Sequence, residues 1–501
     1  MHIRIVRERP SDIAISWFGV GLFEGQVTPP EPLSSMAGAD RIGPLLADKE
    51  IPSGLGETTP ILGLADPHPD SAPLMVVGLG RRESFGPGAA FSAGVALARR
   101  LASKPREVVA LAVPEVEAAT VAEIVSAMVQ GVIVGTRGPG LRKSESNRHP
   151  FGKLILVLDP GQANAVEPEA LDEAIRKGQI LGEAINLARD LVNTPPAEKP
   201  PRRLAERARE VGEAAGLTVE VWDRDRIARE QFGGLIGVSA GSDEPPAFVT
   251  LDWKKGGDDA PTLALVGKGV TFDSGGLSLK PTASMEDMKA DMSGAAIVLG
   301  ALQAVARLGL KVNVVGYLAL TENMTGGRAL KLGDVLKMRN GKTVEILNTD
   351  AEGRLILADA LSYAAEQKPD RMIDLATLTG ACVVALGQKV AGLLGNDDAL
   401  AGDVLSACRA TGERAWRLPL DEDYREALKS QVADLKNVGG KWGGAITASK
   451  FLEEFVGGVP WMHIDIAGPS WADSDSSTRD AGATGCFVRT LVALLEATRT
   501  A

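Results

Sequence analysis

The sequence predicts an α/β protein in two domains. A smaller N-terminal α/β domain covers residues 1–175, and a larger C-terminal α/β domain with a central mixed sheet covers residues 176–501. Three observations predict this. A chain of 501 residues exceeds what one ordinary core organises. Short apolar strand-like runs alternate with helix-period segments through both halves, the pattern of a parallel or mixed sheet layered by helices. A long amphipathic stretch in between ends in rigid proline punctuation, which makes a natural connector.

Residues 20–72 are rich in Pro, Gly, Ala and Asp and read as loop over parts of their length. LMVVGLG (Leu74–Gly80) then reads as a strand closed by a glycine turn, residues 89–103 as a helix, 107–114 as a strand, Val121–Gly135 as a helix and 153–159 as a strand. The turn GLGRRE lacks the third glycine and the downstream acid of a dinucleotide fingerprint, so it is read as a plain turn. LDEAIRKGQILGEAINLARDL (171–191) predicts the long helix, and NTPPAEKPP (193–201) ends it. The alternation restarts with LAERAREVGEAAG as helix, TVEVWD, PAFVTLDW and TLALVGKG as strands, and MSGAAIVLGALQAVARLG as helix. KVNVVGYLAL is a strand, RLILADALSYAAEQ a helix, and RMIDLATL and WMHIDIAG strands.

Composition narrows the function classes. Formal net charge is −11, which disfavours a nucleic-acid partner, because phosphate binding runs on clustered Lys and Arg. Three distant cysteines, Cys382, Cys408 and Cys486, suit a reducing compartment and read as buried small hydrophobes. The start MHIRIVRERP has no apolar signal core, and no uninterrupted apolar run reaches membrane-spanning length. The expectation is a soluble cytoplasmic protein with no membrane partner. Of four histidines, His2, His68 and His149 fall in terminal or loop-like contexts and His463 in a buried-looking strand. With no HExxH or HxH spacing, any metal site must use carboxylates, carbonyls or something less usual.

Chemistry gathers at the ends of predicted strands, where ligand crevices of open α/β sheets lie. VGKGVTFDSGGLSLKP carries Lys268, Asp273 and Lys280 among glycines that permit tight backbone paths. In MEDMKADMSGAA, Asp291 precedes a wholly apolar helix, and NTDAEGRL puts Asp350, Glu352 and Arg354 between a strand-like and a helix-like run. Taken singly, each has a plainer reading: Asp350 or Asp291 as helix caps, the lysines as surface residues, Arg354 as a salt-bridge partner. Their coincidence at neighbouring strand ends favours one cluster. Four carboxylates in one dry pocket repel by several kcal/mol. Lys268, Lys280 and Arg354 supply three positive charges at most, so divalent cations, two of them, are expected as counter-ions and as activators of water.

At these residues the sequence resembles the leucyl aminopeptidase (cytosol aminopeptidase) family. VGKGVTFDSGGLSLKP, MKADMSGAA, NTDAEGRL, IDLATLTGA, GGAITA (443–448) and HIDIAG match it in order and spacing across roughly residues 180–501. The N-terminal part is similar in architecture alone. The resemblance implies a di-metal exopeptidase that removes N-terminal residues, leucine-like by preference, from peptides with a free N-terminus. It makes Asp273 and Glu352 bridging ligands of two divalent ions per subunit, Mn²⁺ or Zn²⁺. Asp350 completes one site with its carboxylate and backbone carbonyl, and Lys268 and Asp291 complete the other. A ligating Lys268 must be neutral, so the resemblance requires a depressed pKa there. It further implies that Lys280 stabilises the oxyanion, that Arg354 holds a bicarbonate general base, and that Met288, Thr377 and Gly380 line the pocket for the first side chain. Members are typically homohexamers.

Departures from the family pattern leave every charged site position intact, and those between Thr321 and Asp334 are read as loop changes. Thr321, Thr325 and Leu332 stand where prolines are frequent, and Cys486 and Phe487 follow the GATG turn in place of small or polar residues. Two other functions fit the sequence less well. A non-catalytic DNA-binding or regulatory protein on the same fold should have lost charged site positions, and none is lost. A nucleotide enzyme using the GKG turn lacks the GxxxxGK[ST] spacing.

Overall fold

The computed structural model describes residues 1–6, 15–30, 42–62 and 73–498. The chain forms two compact units, Met1–Asn186 with Ser474–Ala481, and Leu187–Asp473 with Gly482–Ala501. The division falls inside the helix Pro168–Asn193, which also contains residue 175.

The first unit is built on a six-stranded sheet in the order His2–Val6, Lys153–Val157, Val108–Ala112, Trp17–Phe23, Leu74–Gly80, Thr58–Ile61. All neighbours are parallel except the edge strand Thr58–Ile61, which is antiparallel. Every residue of Leu74–Gly80 and Val108–Ala112 is buried, the signature of strands covered on both faces. The excursion Ser474–Ala481 joins this unit through Asp480, whose Oδ1 meets Arg99 Nε and Arg148 Nη2 at 2.8 Å each.

The second unit carries an eight-stranded mixed sheet. Its order is Ala415–Arg417, Ala391–Gly395, Trp461–Asp465, Arg371–Ala376, Thr262–Asp273, Asn313–Asn323, Ala247–Lys254, Thr218–Trp222. The strands Trp461–Asp465 to Asn313–Asn323 in that order run parallel, and antiparallel pairings flank them on both sides. Helices Ser293–Leu308 and Gly353–Glu366 bury most of their residues, as their largely apolar sequences require, and the second buries Arg354 and Asp359 as well. Below the sheet ends, Trp222, Phe232, Phe248, Tyr317 and Tyr363 interlock with ring centroids 4.9–6.1 Å apart. Tyr363 belongs to the helix Gly353–Glu366, so this cluster also seats the helix that carries Arg354.

Several expectations change. The stretch 20–72 holds the end of strand Trp17–Phe23, a short helix Ile42–Ala47 and strand Thr58–Ile61; His68 lies outside the described residues. Strand TLALVGKG does not stop in a turn at residue 269 but continues to Asp273, because its neighbour Asn313–Asn323 keeps pairing with it through a one-residue register shift after Thr321, beyond which Asn323 faces Asp273. Ala118–Gly135 and Thr282–Leu308 are long and apolar on average but are interrupted by charges such as Glu123 and Asp291, and most of each is buried within the fold, as in core helices. The three cysteines are buried and form no disulfide.

The aromatic cluster makes a direct prediction. Phe248→Ala should lower unfolding free energy by roughly 3–5 kcal/mol, measured by denaturant titration. A loss under about 1 kcal/mol would mean the rings do not anchor the helix.

Candidate metal centre

The parallel strands end at one crevice, and four segments deliver charged groups to it. Strand Thr262–Asp273 brings Lys268 and Asp273. A loop then turns back with Lys280 N–H donating to Ser274 O at 3.0 Å. Gly275 (φ +85°) makes that turn possible; a Cβ there would lie 2.5 Å from Ser278 O and 3.0 Å from Asp350 Oδ1. Asp291 follows the short turn Met288–Ala290, immediately before the buried helix Ser293–Leu308. Asp350 and Glu352 precede helix Gly353–Glu366, and a Cβ on Gly353 would lie 2.6 Å from Lys268 Nζ.

These segments bring the predicted groups together. Carboxylate oxygens of Asp273, Asp350 and Glu352 all lie within 4.8 Å of one another. Lys268 Nζ sits 2.8 Å from both Asp291 Oδ1 and Glu352 Oε1, and donates to Thr377 O at 2.9 Å. Lys280 Nζ lies 2.9 Å from Asp273 Oδ2 and also pairs with Asp350 Oδ1. Lys268, Asp273, Asp291, Glu352 and Arg354 are buried, and Asp350 is half-buried. Thr377 touches the cluster directly, its Oγ1 donating to Asp291 Oδ1 at 2.7 Å. Met288 joins it only through the chain, its carbonyl accepting the Asp291 N–H at 3.4 Å. Gly380 is exposed at the first residue of helix Gly380–Leu386.

The electrostatics show a strained balance. Burial raises the pKa of Asp291 well above the carboxylate range, against the pull of Lys268, with Glu352 and Asp273 pushing the same way as burial. Burial likewise raises Glu352 and Asp350, and Asp273 adds to both. For Lys268, burial lowers the pKa, but Asp291, Glu352 and Asp273 outweigh it and leave the ammonium above its ordinary value. This is opposite to what ligand duty requires of Lys268. Among its protein neighbours it is a counter-ion, and only stronger positive charge can displace its proton. Lys280 is raised in the same way, burial opposing and Asp273 and Asp350 prevailing. Burial brings Arg354 down to about 10, which leaves it a cation at neutral pH.

A second layer that the sequence reading missed fixes these groups. Asn323 Nδ2 donates to Asp273 Oδ1 (2.8 Å) and to Thr349 O (3.0 Å). Asn437 Oδ1 accepts Leu347 N–H (2.9 Å), its Nδ2 donates to Asn348 O (2.6 Å), and its carbonyl accepts Arg354 Nη1 (2.9 Å). Asp465 accepts Thr379 Oγ1 at 2.7 Å and Leu378 N–H at 3.3 Å, which holds the turn after Thr377. Beneath it, Asp374 binds His463 Nδ1 at 2.6 Å and Trp461 Nε1 at 2.7 Å, all fully buried. The one sequence signal for this layer was the polar pair His463 and Asp465 inside an apolar strand.

The residues fit divalent cations. Four carboxylates face two lysine ammonium groups, a set of hard oxygen donors left short of positive charge. Asp291 Oδ2 is buried with no hydrogen-bond partner among the described residues. Arg354 Nε is likewise buried without a partner, a donor suited to an anion.

The chain is similar to known proteins over most of its length. The model of the Cytosol aminopeptidase family, catalytic domain, matches residues 186–492, and that of the Cytosol aminopeptidase family, N-terminal domain, matches residues 20–136. A probable cytosol aminopeptidase of Rhodopirellula baltica is 47% identical over 84% of this chain and 81% of its own. One from Koribacter versatilis is 40% identical over 90% of each. Among solved structures, a mutant of tomato leucine aminopeptidase superposes with a TM-score of 0.87 at 34% identity, covering 99% of this chain and 96% of the other. The bottromycin maturation enzyme BotP, solved in complex with Mn, gives 0.82 at 36% identity, covering 97% and 100%.

The buried His463–Asp374 pair predicts a pH dependence. Burial lowers the His463 pKa, but Asp374 outweighs it and the net direction is upward from 6.5. A raised folded-state value stabilises the fold below the unfolded pKa, and that contribution disappears as pH rises through the folded value. Melting temperatures of the parent and His463→Gln should therefore differ most below pH 6.5 and approach each other above it. A gap that widens with pH would reverse the assignment.

Proposed function

Because this chain belongs to the cytosol aminopeptidase family, in both its N-terminal and its catalytic domain, we propose that it is a leucyl-type aminopeptidase that works through two divalent metal ions. The observation that carries this reading is the convergence of Asp273, Asp350 and Glu352 beside Lys268–Asp291 and Lys280. Asp273, Asp350 and Glu352, with Asp291 and a neutral Lys268 beside them, would hold the ions. When bound, such ions supply Lewis acidity, lowering the pKa of water and polarising a peptide carbonyl. The Mn complex of BotP and the oxygen-rich donor set support Mn²⁺, with Zn²⁺ the other fitting ion.

The chain's own groups divide the remaining work. Lys280, held charged between Asp273 and Asp350, would stabilise the oxyanion formed when water adds to the first carbonyl. Arg354 would hold a bicarbonate as general base for that water, using the buried Nε that has no other partner among the described residues. Thr377, with Met288 and Gly380, would line the pocket for a leucine-like first side chain; an apolar pocket discriminates between neighbours only modestly. Substrates are peptides with a free N-terminus. The protein would act in the cytoplasm as a homohexamer, as the resemblance to the family implies.

Two measurements test this. Asp273→Ala and Glu352→Ala should abolish hydrolysis of an N-terminal leucyl amide, by about 10³-fold or more, while circular dichroism stays that of the parent. Full activity in either folded variant would sink the proposal. Manganese added to chelated protein at neutral pH should displace the Lys268 proton. The binding enthalpy should then vary with the ionisation enthalpy of the buffer, and an invariant enthalpy would exclude a neutral Lys268.

A further inference from the structure

The stretch NTPPAEKPP ends a helix, but one residue in it does something the helix end does not need. Lys199 is buried, with only 4% of its surface exposed. Its ammonium donates to Leu191 O at 2.9 Å, to Val192 O at 2.7 Å and to Lys289 O at 2.7 Å. An ammonium has three donors, and here all three end on carbonyls. The first two carbonyls lie in the last turn of helix Pro168–Asn193, where intrahelical partners have run out and the dipole favours a cation. The third belongs to the turn Met288–Ala290, which leads directly into Asp291.

The mount is stiff. Lys199 follows the short turn Pro196–Glu198, its N–H donates to Pro196 O at 3.0 Å, and Pro200 and Pro201 come next. Prolines on both sides fix the backbone from which the side chain reaches inward. Burial, and after it the charge of Lys289, pull the Lys199 pKa well below the ordinary lysine value. Desolvating an ammonium is tolerated only where it is fully hydrogen-bonded, as it is here.

We propose that Lys199 is a positioning residue: it pins the backbone at Lys289 to the end of helix Pro168–Asn193 and so sets where Met288 and Asp291 stand in the crevice. The tie itself is independent of the enzymatic reading; its bearing on metal and first-residue selection rests on that reading.

The test is hydrogen exchange on the full chain in the presence of chelator, comparing the parent with Lys199→Met, Lys199→Gln and Lys199→Arg. In Lys199→Met the amides of residues 288–292 should exchange about tenfold faster, while those of strands Thr262–Asp273 and Arg371–Ala376 stay unchanged. Lys199→Gln, with fewer donors, should fall between, and Lys199→Arg should recover part of the protection. Unchanged exchange at 288–292, or a rise spread equally over the central strands, would overturn the proposal. If Lys199→Met does not fold, Lys199→Gln decides by the same criterion. Manganese titration then separates the two readings. One of two binding events weakened about tenfold in Lys199→Met supports both. Faster local exchange in a protein that binds no manganese even as the parent keeps the tie and refutes the metal reading.

Discussion

Four carboxylates drawn out of water into one crevice impose the constraint on which the second unit is organised. Each raises the cost of ionising the others, and the pKa values of Asp291, Glu352 and Asp350 all move upward. Two lysines offset part of this by sitting between the acids rather than beside them, Lys268 linking Asp291 to Glu352 and Lys280 linking Asp273 to Asp350. Such an arrangement holds its shape only if nothing else in the crevice can relax. The cost of a one-ångström displacement is a lost charge pair in a low-dielectric setting.

That rigidity comes from backbone chemistry spread over distant segments. The four central strands are parallel, so their carboxyl ends face one side and deliver Lys268, Asp273, Asn323, Thr377 and Asp465 along one crevice. Asn323 then secures Asp273 to Thr349, and Asn437 secures the Asn348 turn to Arg354. These amides carry no charge that would disturb the balance of the cluster. Each of them satisfies backbone groups that a tight polar turn would otherwise leave unpaired.

Much of this was legible in the sequence, for a physical reason. Strand and helix runs such as Val121–Gly135 are buried on most sides, so their composition alone marks them. The site motifs were legible because charge beside glycine at a strand end has few plain explanations. What escaped depends on partners far along the chain. Asn437 looks like an ordinary loop residue until it meets Leu347 and Arg354, and Lys199 looks like a surface lysine until Lys289 closes over it. The protonation of Lys268 escaped for the same reason: family resemblance supplies its role, whereas its neighbours Asp291 and Glu352 set its charge. The return of Ser474–Ala481 to the first unit depends on Asp480 meeting Arg99 and Arg148, which no periodicity announces. Weak strands such as Thr58–Ile61 escaped because an edge needs little apolar sequence.

The strand order of the large sheet has a consequence for the birth of the molecule. Trp461–Asp465 lies in the interior of the sheet, between Arg371–Ala376 and Ala391–Gly395, yet is its last strand to leave the ribosome. A nascent chain that already carries every acidic residue of the crevice still lacks the strand that completes the sheet, along with Asp465, which steadies the turn beyond Thr377. Translation therefore withholds the finished crevice until this last interior strand has emerged, so the sheet closes late and from its middle rather than from an edge.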